Sequence, residues 1–517
     1  MRLPFHNADP AHRDFQYLED LSTAYWYSEA LFASLELKLF EALERGRSSP
    51  EELAGSASCG KDELLRLLKA LERLELVHRD GERWFNSQVA RLYLAPGNQT
   101  YMGDFLLYRR HMQPKWMDLA QRVSGKTQNE AHPTSHDDDY KTRTLQYVRA
   151  MDQLARQKAE EITAVLNQET WRPPILDVGG GAAALSRSLI RTTDTGCATL
   201  FELPDALAAA QALYPDKGAW ERIHLIAGDF RTYEFEAEAR FGLVLLSNFL
   251  HAYGAVEARE ALRKSLALLD PDGLILIHDY FPDRLGRSPG KGPLYDLNMM
   301  LNTYNGRCHD ASEVMKWLRD DGIARIRIRD LSTDSSIILA GGNYPELSGE
   351  TDLEEWVYMA RSEGFHRGVL IPTDKVTTAS WVRMKCQSGC PGYGSNLQCP
   401  PHGMDHRATR EMLGSYTWAI LLEGTPPGLD FHRKLLRMEK RAFLAGFHKA
   451  FALGAGPCPV CERCPEEGLC RYPGQARPSM EGSGIDVYTV ASEAGIHLKP
   501  VTSEDQHVKY IGLLLLE

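Results

Sequence analysis

Thiols set the first boundary in this sequence. Of its ten cysteines, only Cys59, Cys197 and Cys308 lie before residue 385, and the other seven fall between Cys386 and Cys470. The opening residues, Met1-Arg-Leu-Pro-Phe-His-Asn, contain no apolar h-region, so the expected location is cytoplasmic, with no secretory leader. Clustered cysteines in an unsecreted chain point to metal ligation in place of disulfides. A long cysteine-poor part therefore precedes a short cysteine-rich one. At 517 residues the chain exceeds one ordinary hydrophobic core and calls for roughly two to four domains. Hydrophobic residues make up 43% and charged residues 25%, which excludes a largely disordered protein. No apolar run is long enough for a membrane span. A formal net charge of −11 lacks the basic excess of a general nucleic-acid binder.

The two cysteine groups differ in spacing. The first reads Cys386-x3-Cys390-x8-Cys399-Pro-Pro-His402, the second Cys458-x2-Cys461-x2-Cys464-x5-Cys470. Three cysteines separated by pairs of residues can wrap one corner of a cubane, and a fourth arrives after a short loop, close to ferredoxin spacing. Zinc ribbons use paired knuckles far apart, so a [4Fe-4S] cluster is the expected cofactor, with zinc as the alternative. The first group is one thiol short of a four-cysteine site. Either His402 completes it, or Cys470 crosses over, or one iron stays open.

Upstream, Leu18, Leu21, Tyr25, Leu31, Leu35 and Leu39 recur near helical spacing across residues 14–45. Ser49-Pro50-Glu51-Glu52 reads as a helix cap and first turn. Helices follow through Leu53 and through Leu64–Leu74, and residues 76–85 read as strand, Asp-Gly turn and strand. Helices ending in a hairpin make a winged helix. Its second helix mixes Lys61, Asp62, Glu63, Arg66 and Lys69, which favours dimerisation or a substrate lid over DNA binding. Residues 126–140 are polar and unpatterned and read as a surface loop.

From Pro174 the pattern changes. Strands are expected at 175–178, 198–202, 224–227, 243–247 and 274–278 with helices between them, then at 323–329 and 335–340 with none between. This predicts a mostly parallel, doubly wound α/β sheet with an antiparallel pair at its edge. Asp177-Val-Gly179-Gly180-Gly181 follows the first strand, and its glycines let backbone N–H groups approach a ligand at a helix N-terminus. Glu202 ends the second strand, where an acid can hold both ribose hydroxyls. Asp229, followed by Phe230, ends the third, where it can accept a bond from an adenine amine. Ser247 ends the fourth strand beside them. A dinucleotide-binding fold would use a similar loop.

Taken together, residues from about 14 to 341 resemble the S-adenosylmethionine-dependent O-methyltransferases of the plant caffeate and bacterial hydroxyneurosporene or acetylserotonin type. The matching pieces are the winged helix, Leu176-Asp-Val-Gly-Gly-Gly, Phe201-Glu-Leu-Pro, Ala227-Gly-Asp-Phe and Asn248-Phe-Leu-His251. The resemblance implies S-adenosylmethionine held by Asp177, Gly179, Gly181, Glu202, Asp229, Phe230 and Ser247. It implies His251 as general base, oriented by Asp279, and a small-molecule acceptor, with a hydroxyl as the accepting group, against Asn298, Met299 and Asn302. A homodimer through the N-terminal domain is implied by the same analogy. Four departures stand out. Ala183 replaces a glycine frequent in relatives, Ala252 and Tyr253 replace an Asp and a Trp, and Cys308-His309 stand where a second acid is expected.

Residues from about 353 to 517 resemble a family of predicted metal-binding proteins of unknown function. Lys385-Cys, Cys390-Pro-Gly-Tyr-Gly, Cys399-Pro-Pro-His and Arg477-Pro-Ser-Met-Glu481-Gly-Ser-Gly-Ile-Asp486-Val carry this resemblance. Residues 435–454 read as an amphipathic helix leading into the second cysteine loop, and 510–516 as a closing strand. With Gly341–Glu350 as linker, three domains are expected. A winged-helix dimerisation domain spans 1–100, an α/β methyltransferase domain 101–345, and an α+β cysteine-rich domain 351–517. The expected function is methyl transfer joined to an iron–sulfur module that passes electrons to a partner or senses redox state. The substitutions at Ala252 and Cys308 leave a second reading open, a metal-binding regulator or carrier with a non-catalytic methyltransferase-like domain.

Overall fold

Leucines at helical spacing build the first elements of the computed structural model, which describes residues 15–127, 138–284, 291–323, 325–341, 353–424, 428–465, 469–498 and 509–516. The stretch expected as one helix divides into α1 (Phe15–Ser22), α2 (Tyr25–Glu36) and α3 (Leu39–Glu44). The second break has a local cause. Lys38 takes φ +53°, a left-handed conformation that L-residues do not hold inside a helix. α4 (Pro50–Ala57) starts in a full capping box, with the Ser49 hydroxyl accepting the Glu52 N–H and the Glu52 carboxylate accepting the Ser49 N–H. α5 (Lys61–Arg73), the hairpin β1 (Val77–Asp80) and β2 (Arg83–Asn86), and α6 (Gln88–Tyr93) complete the helical domain. Leu39, Phe40, Leu53, Leu68, Leu71 and Trp84 form its core.

The sheet follows α7 (Gly103–Met117), α8 (Leu119–Val123) and the long α9 (Asp138–Leu166). Its elements are β3 (Ile175–Val178), α10 (Ala184–Ile190), β4 (Ala198–Glu202), α11 (Pro204–Leu213), β5 (Ile223–Ala227), β6 (Phe241–Ser247), α12 (Ala255–Ala267) and β7 (Leu269–Asp279). These strands pair in parallel, in the order β5-β4-β3-β6-β7. β3 and β6 are adjacent but not consecutive, so the strand order reverses between them. A crevice opens at the carboxyl ends of strands at such a switch point. β7 starts five residues before the expected Leu274, because Pro271-Asp-Gly273 reads as a turn in sequence but runs on as strand. A register shift opposite Phe241 and Leu243 absorbs the extra residues. α13 (Gly292–Asn302) follows.

Two compact units are present, residues 1–309 with 330–337, and residues 310–329 with 338–517. The second begins with α14 (Ala311–Asp320), and its strands β8 (Ile326–Asp330) and β9 (Ser336–Gly341) are hydrogen-bonded neighbours. Then come α15 (Leu353–Ser362), β10 (Arg367–Pro372), α16 (Ser380–Gly389), α17 (His406–Leu413), β11 (Trp418–Gly424), α18 (Leu429–Leu444), β12 (Phe451–Leu453), α19 (Val487–Glu493) and β13 (Tyr510–Leu516). Four of these strands form an antiparallel sheet in the order β10-β11-β13-β12. The helix expected over 435–454 is shifted. α18 ends at Leu444, Gly446 turns the chain at φ +102°, and Phe451–Leu453 pair with Leu513–Leu515 as a strand. β13 is interior in the sheet, which explains its unbroken apolar run and the burial of Ile511–Leu516. The linker after Gly341 and most of the 126–140 loop lie outside the described residues. Asp138–Tyr140, expected as loop, open α9.

The capping box gives a stability test of the N-terminal domain. Ser49→Ala should cost about 0.5–2 kcal/mol, read as a lower urea midpoint at unchanged slope, and Ser49→Asp should recover most of it.

Candidate active site

Glycine geometry shapes the donor side. After β3 the chain turns through Gly179 at φ +65° and Gly181 at φ +58°. A Cβ on Gly179 would sit 2.6 Å from the Phe249 ring, and one on Gly180 2.4 Å from the Asp177 carboxyl carbon. Glu202 reaches this loop from the end of β4. Its Oε2 accepts the Gly181 N–H at 2.9 Å and its Oε1 the Leu203 N–H at 2.7 Å. Burial pushes the Glu202 carboxyl up, and these two N–H groups pull it back only in part. Asp177 is buried and accepts the Ser186 hydroxyl at 2.6 Å. Burial pushes its carboxyl up to about 6, and its Oδ1 has no hydrogen-bond partner. Ala183 holds φ +60° at the start of α10, the conformation that a glycine takes without strain.

Asp229 is already engaged. Arg231 grips it with Nε on Oδ1 at 3.0 Å and a terminal nitrogen on Oδ2 at 2.6 Å, so the acid and the guanidinium act as one planar unit. Phe230 is buried edge-on between Phe201 and Phe249, with ring centroids at 5.5 and 5.8 Å. The Ser247 hydroxyl lies 2.9 Å from His278 Nδ1, and burial holds that imidazole neutral, down at about 4. All seven expected donor residues line one cavity of about 260 Å³. α9 supplies Tyr147, Met151 and Asp152 to the same wall, and Asn248, at φ +53°, closes the other side. The sequence reading missed these residues.

The His251–Asp279 pair sits next door. His251 lies on a short 3₁₀ turn, Leu250–Ala252. Its Nδ1–H donates to Asp279 Oδ1, and its backbone N–H reaches Asp279 Oδ2 at 3.3 Å. Burial drives the Asp279 carboxyl up, but the pull of His251, their hydrogen bond and the Tyr280 N–H outweigh it, and the group ends below the usual carboxylate range. Among the described residues, His251 Nε2 makes no hydrogen bond. Gly306 packs against this turn, where a Cβ would meet the His251 carbonyl at 2.4 Å. His309 Nε2 stands 3.3 Å from the Leu250 carbonyl and 3.2 Å from that of Tyr253. The His309 position thus braces the segment that holds His251. Cys308 is buried, and burial, then Asp279 and Asp296, push its thiol far up, so it stays a neutral thiol.

Asn298 accepts the Trp116 indole N–H at 3.3 Å and the Asn302 amide at 3.1 Å. It lines a cavity of about 280 Å³ with Arg109, Met112, Trp116 and Tyr295. Met299 lies on the same helix, where its carbonyl accepts the Thr303 hydroxyl.

In the second unit, three sequence motifs meet. Arg383 of α16 donates to the Gly403 carbonyl at 3.0 Å, to the Met404 carbonyl, and to the Gly482 carbonyl at 3.2 Å. Asn396 donates to the Cys458 carbonyl at 3.3 Å, and the Gly454 N–H donates to the Pro478 carbonyl while the Gly454 carbonyl accepts the Met480 N–H. Cys399 is pushed up to about 11, by burial and then by Cys386, Cys390, Cys458 and Cys464. Cys458 likewise feels Cys464 and Cys470. Both cysteine groups therefore share one neighbourhood, with Cys461 in the same loop. Among the described residues, no three His, Cys, Asp or Glu side chains stand close enough to hold one ion. His402 Nε2 lies 3.3 Å from the Gly394 carbonyl and so is occupied by its own loop. Cys386, Cys390 and Glu481 open onto a cavity of about 950 Å³.

Comparison with known proteins finds three matching stretches. Residues 116–324 match the O-methyltransferase domain family, residues 19–96 the O-methyltransferase dimerisation domain, and residues 369–516 the family described as predicted metal-binding protein (DUF2284). A 3-hydroxy-5-methyl-1-naphthoate 3-O-methyltransferase of Streptomyces sahachiroi is 29% identical over 63% of this chain and 94% of its own. An acetylserotonin O-methyltransferase of Mus musculus molossinus is 28% identical over 61% and 86%. In fold, the crystal structure of human N-acetylserotonin methyltransferase in complex with SAM matches 65% of this chain and 98% of its own, at a TM-score of 0.56 and 22% identity. The fold, the donor cavity and these matches make residues 19–324 similar to the S-adenosylmethionine-dependent O-methyltransferases. Beyond the stretches that match the dimerisation and O-methyltransferase domains, the chain matches a predicted metal-binding domain.

Burial of Asp177 makes stability depend on pH. Its folded value of about 6 lies above the ordinary 3.8, so the folded state binds the proton first and carries the cost of an ionised, buried acid above about pH 6. Asp177→Asn should therefore stabilise the fold at pH 7–8 by at most about 3 kcal/mol, read as a higher melting temperature. The gain should fade between pH 6 and 4 as the parent carboxyl protonates, in scans across that range.

Proposed function

We propose that the first unit moves a methyl group from S-adenosylmethionine to a hydroxyl of a small molecule, with His251 as general base. The observation behind this is the His251–Asp279 pair beside the donor cavity, with Nε2 left unengaged. Bound S-adenosylmethionine supplies a methyl group already activated as a sulfonium. The glycine cradle and the acids in the wall fit such a group. Glu202 would meet the ribose hydroxyls, Asp229 with Arg231 and Phe230 the adenine side, and Gly179–Gly181 the polar end. Asp279 keeps the proton of His251 on Nδ1, so Nε2 presents its lone pair and takes the acceptor's hydroxyl proton. Asn298, Met299 and Asn302 form the acceptor wall. The relatives named above are transferases to oxygen, which supports a hydroxyl acceptor. A homodimer fits α1, which buries none of its residues and leaves Phe15, Leu18 and Leu21 exposed beside Tyr25 and Trp26 of α2.

In the second unit we assign Cys386, Cys390, Cys399, Cys458, Cys461, Cys464 and Cys470 to metal ligation. A thiolate set with this spacing suits an iron–sulfur cluster, and zinc is the alternative. Its role would be to exchange electrons with a partner or to sense redox state.

His251→Ala should leave S-adenosylmethionine affinity within about two-fold and slow methyl transfer by about 10²–10⁴-fold, in a labelled-methyl assay. Turnover near the parent rate would leave His251 a structural residue. Anaerobically purified protein should be brown and contain iron with acid-labile sulfide. Changing Cys461 and Cys464 to Ser should remove both while S-adenosylmethionine still binds, whereas stoichiometric zinc without sulfide would replace the cluster assignment.

A further inference from the structure

One carboxylate of the second unit is buried with nothing to bind. Glu481 follows Met480 in the turn before Gly482, and its Oε2 is buried without a hydrogen-bond partner among the described residues. A buried, unbonded charged oxygen is costly and calls for a ligand. What sets Glu481 apart from other such atoms is its company. It shares the wall of the cavity of about 950 Å³ with Cys386 and Cys390. Neither lysine of that wall pairs with it. Lys385 lies over the Trp381 ring at 5.0 Å, and Lys509 pairs with Glu423 at 3.1 Å.

The turn that carries Glu481 is packed among the cysteine loops. A Cβ on Gly482 would stand 3.6 Å from the Gln398 carbonyl and 3.6 Å from Pro400, the two neighbours of Cys399. Arg383 binds the Gly482 carbonyl at 3.2 Å, and Cys386 lies three residues further along α16, on the same face. Burial, then Cys390 and Glu481, push the Cys386 thiol up. Burial also pushes the Glu481 carboxyl up, and N–H groups that include Gly456, two residues before Cys458, pull it back in part. The two alternatives for completing the first cysteine group are engaged elsewhere. His402 Nε2 is on the Gly394 carbonyl, and Cys470 acts on Cys458 within its own loop.

We propose that Glu481 is a metal ligand that completes the group Cys386, Cys390 and Cys399, with a carboxylate oxygen where a fourth thiol is missing. This rests on the assignment of those thiols to metal ligation and goes beyond it by naming the donor that their spacing lacks. Both candidate metals accept carboxylate oxygen. The donors do not converge on one point among the described residues. Donors to a cubane need not, since each binds its own iron.

The test uses the full chain, purified and reconstituted without oxygen with ferrous iron and sulfide. Glu481→Gln keeps the shape of the side chain and removes the anionic donor. It should lose iron and sulfide to the same extent as Cys390→Ser, and release the rest to a chelator about ten-fold or more faster than the parent. Glu481→Cys restores an anionic ligand and should regain the parent's iron content with a shifted absorption spectrum. His402→Ala should match the parent. A Glu481→Gln protein with the parent's iron content and release rate would overturn the assignment and leave the thiols as ligands. Equal loss in Glu481→Gln and Glu481→Cys would make the residue a folding element and overturn it too. A parent that binds no metal would bring down the thiol assignment as well. If the parent holds zinc, zinc content and release decide in the same way. Circular dichroism and S-adenosylmethionine affinity, measured on each variant, check that both units are folded.

Discussion

The hydrogen bond from Gly181 N–H to Glu202 holds the donor site in shape before any ligand arrives. Parallel pairing of β3 with β4 sets Val178 opposite Phe201, so Glu202 stands one residue beyond, level with the turn. The loop can meet it only because Gly179 and Gly180 have no Cβ to strike Phe249 and Asp177. One carboxylate thus does two jobs. It fixes the glycine turn through one oxygen and leaves the acid at the strand end, where a ribose would lie. Without that bond, the three glycines would be the most mobile backbone of the crevice, since glycine loses more freedom than other residues on ordering.

Apart from Ala183 in the glycine loop, the positions that depart from the family pattern gather around His251, and packing contacts surround it there. Ala252 provides no carboxylate, and Cys308 holds a neutral thiol. In their place His309 reaches the carbonyls on both sides of His251, and Gly306 lets a second chain segment close on the same turn. Asp279 then needs only to hold Nδ1. Its own bonds to the backbone of His251 and Tyr280 keep its carboxylate from rotating. Orientation of the imidazole rests on Asp279 and on backbone contacts instead of a second acid.

Much of this was legible in the sequence because the sheet is regular. Buried parallel strands read as apolar runs, and an acid just past such a run marks a crevice whichever ligand it holds. Glu202 and Asp229 were read that way, whereas His251 and Asp279 came only from the family resemblance. α9 was not. Its residues are charge-dense, so Asp152 reads as solvated, yet it is buried and bound by Arg187 and Tyr214. That network depends on three elements meeting, and no local pattern reports it. The grip of Arg231 on Asp229 was equally hidden, since a two-residue offset on a loop fixes no geometry. The break at Lys38 and the early end of α18 are tertiary choices too. Both segments keep helical spacing in sequence, and the backbone departs from it to close a core or to pair with β13.

The cysteine-rich part follows a different logic. Burial first, and then four neighbouring cysteines, push the Cys399 thiol up to about 11, so the set resists ionisation together. Hydrophobic strands could not hold such a set together at the ends of loops, and the contacts that do so contain no sulfur. Arg383 ties the first cysteine loop to the glycine turn after Glu481, Asn396 ties it to the second loop, and Gly454 anchors that loop to the sheet through the 478–480 segment. Arg477 closes the frame by pairing with Glu439 of α18. A frame built this way brings the two cysteine loops together through bonds that use no thiol. The Arg-Pro-Ser-Met-Glu-Gly segment, far in sequence from the first cysteine, is therefore part of the frame that positions both loops.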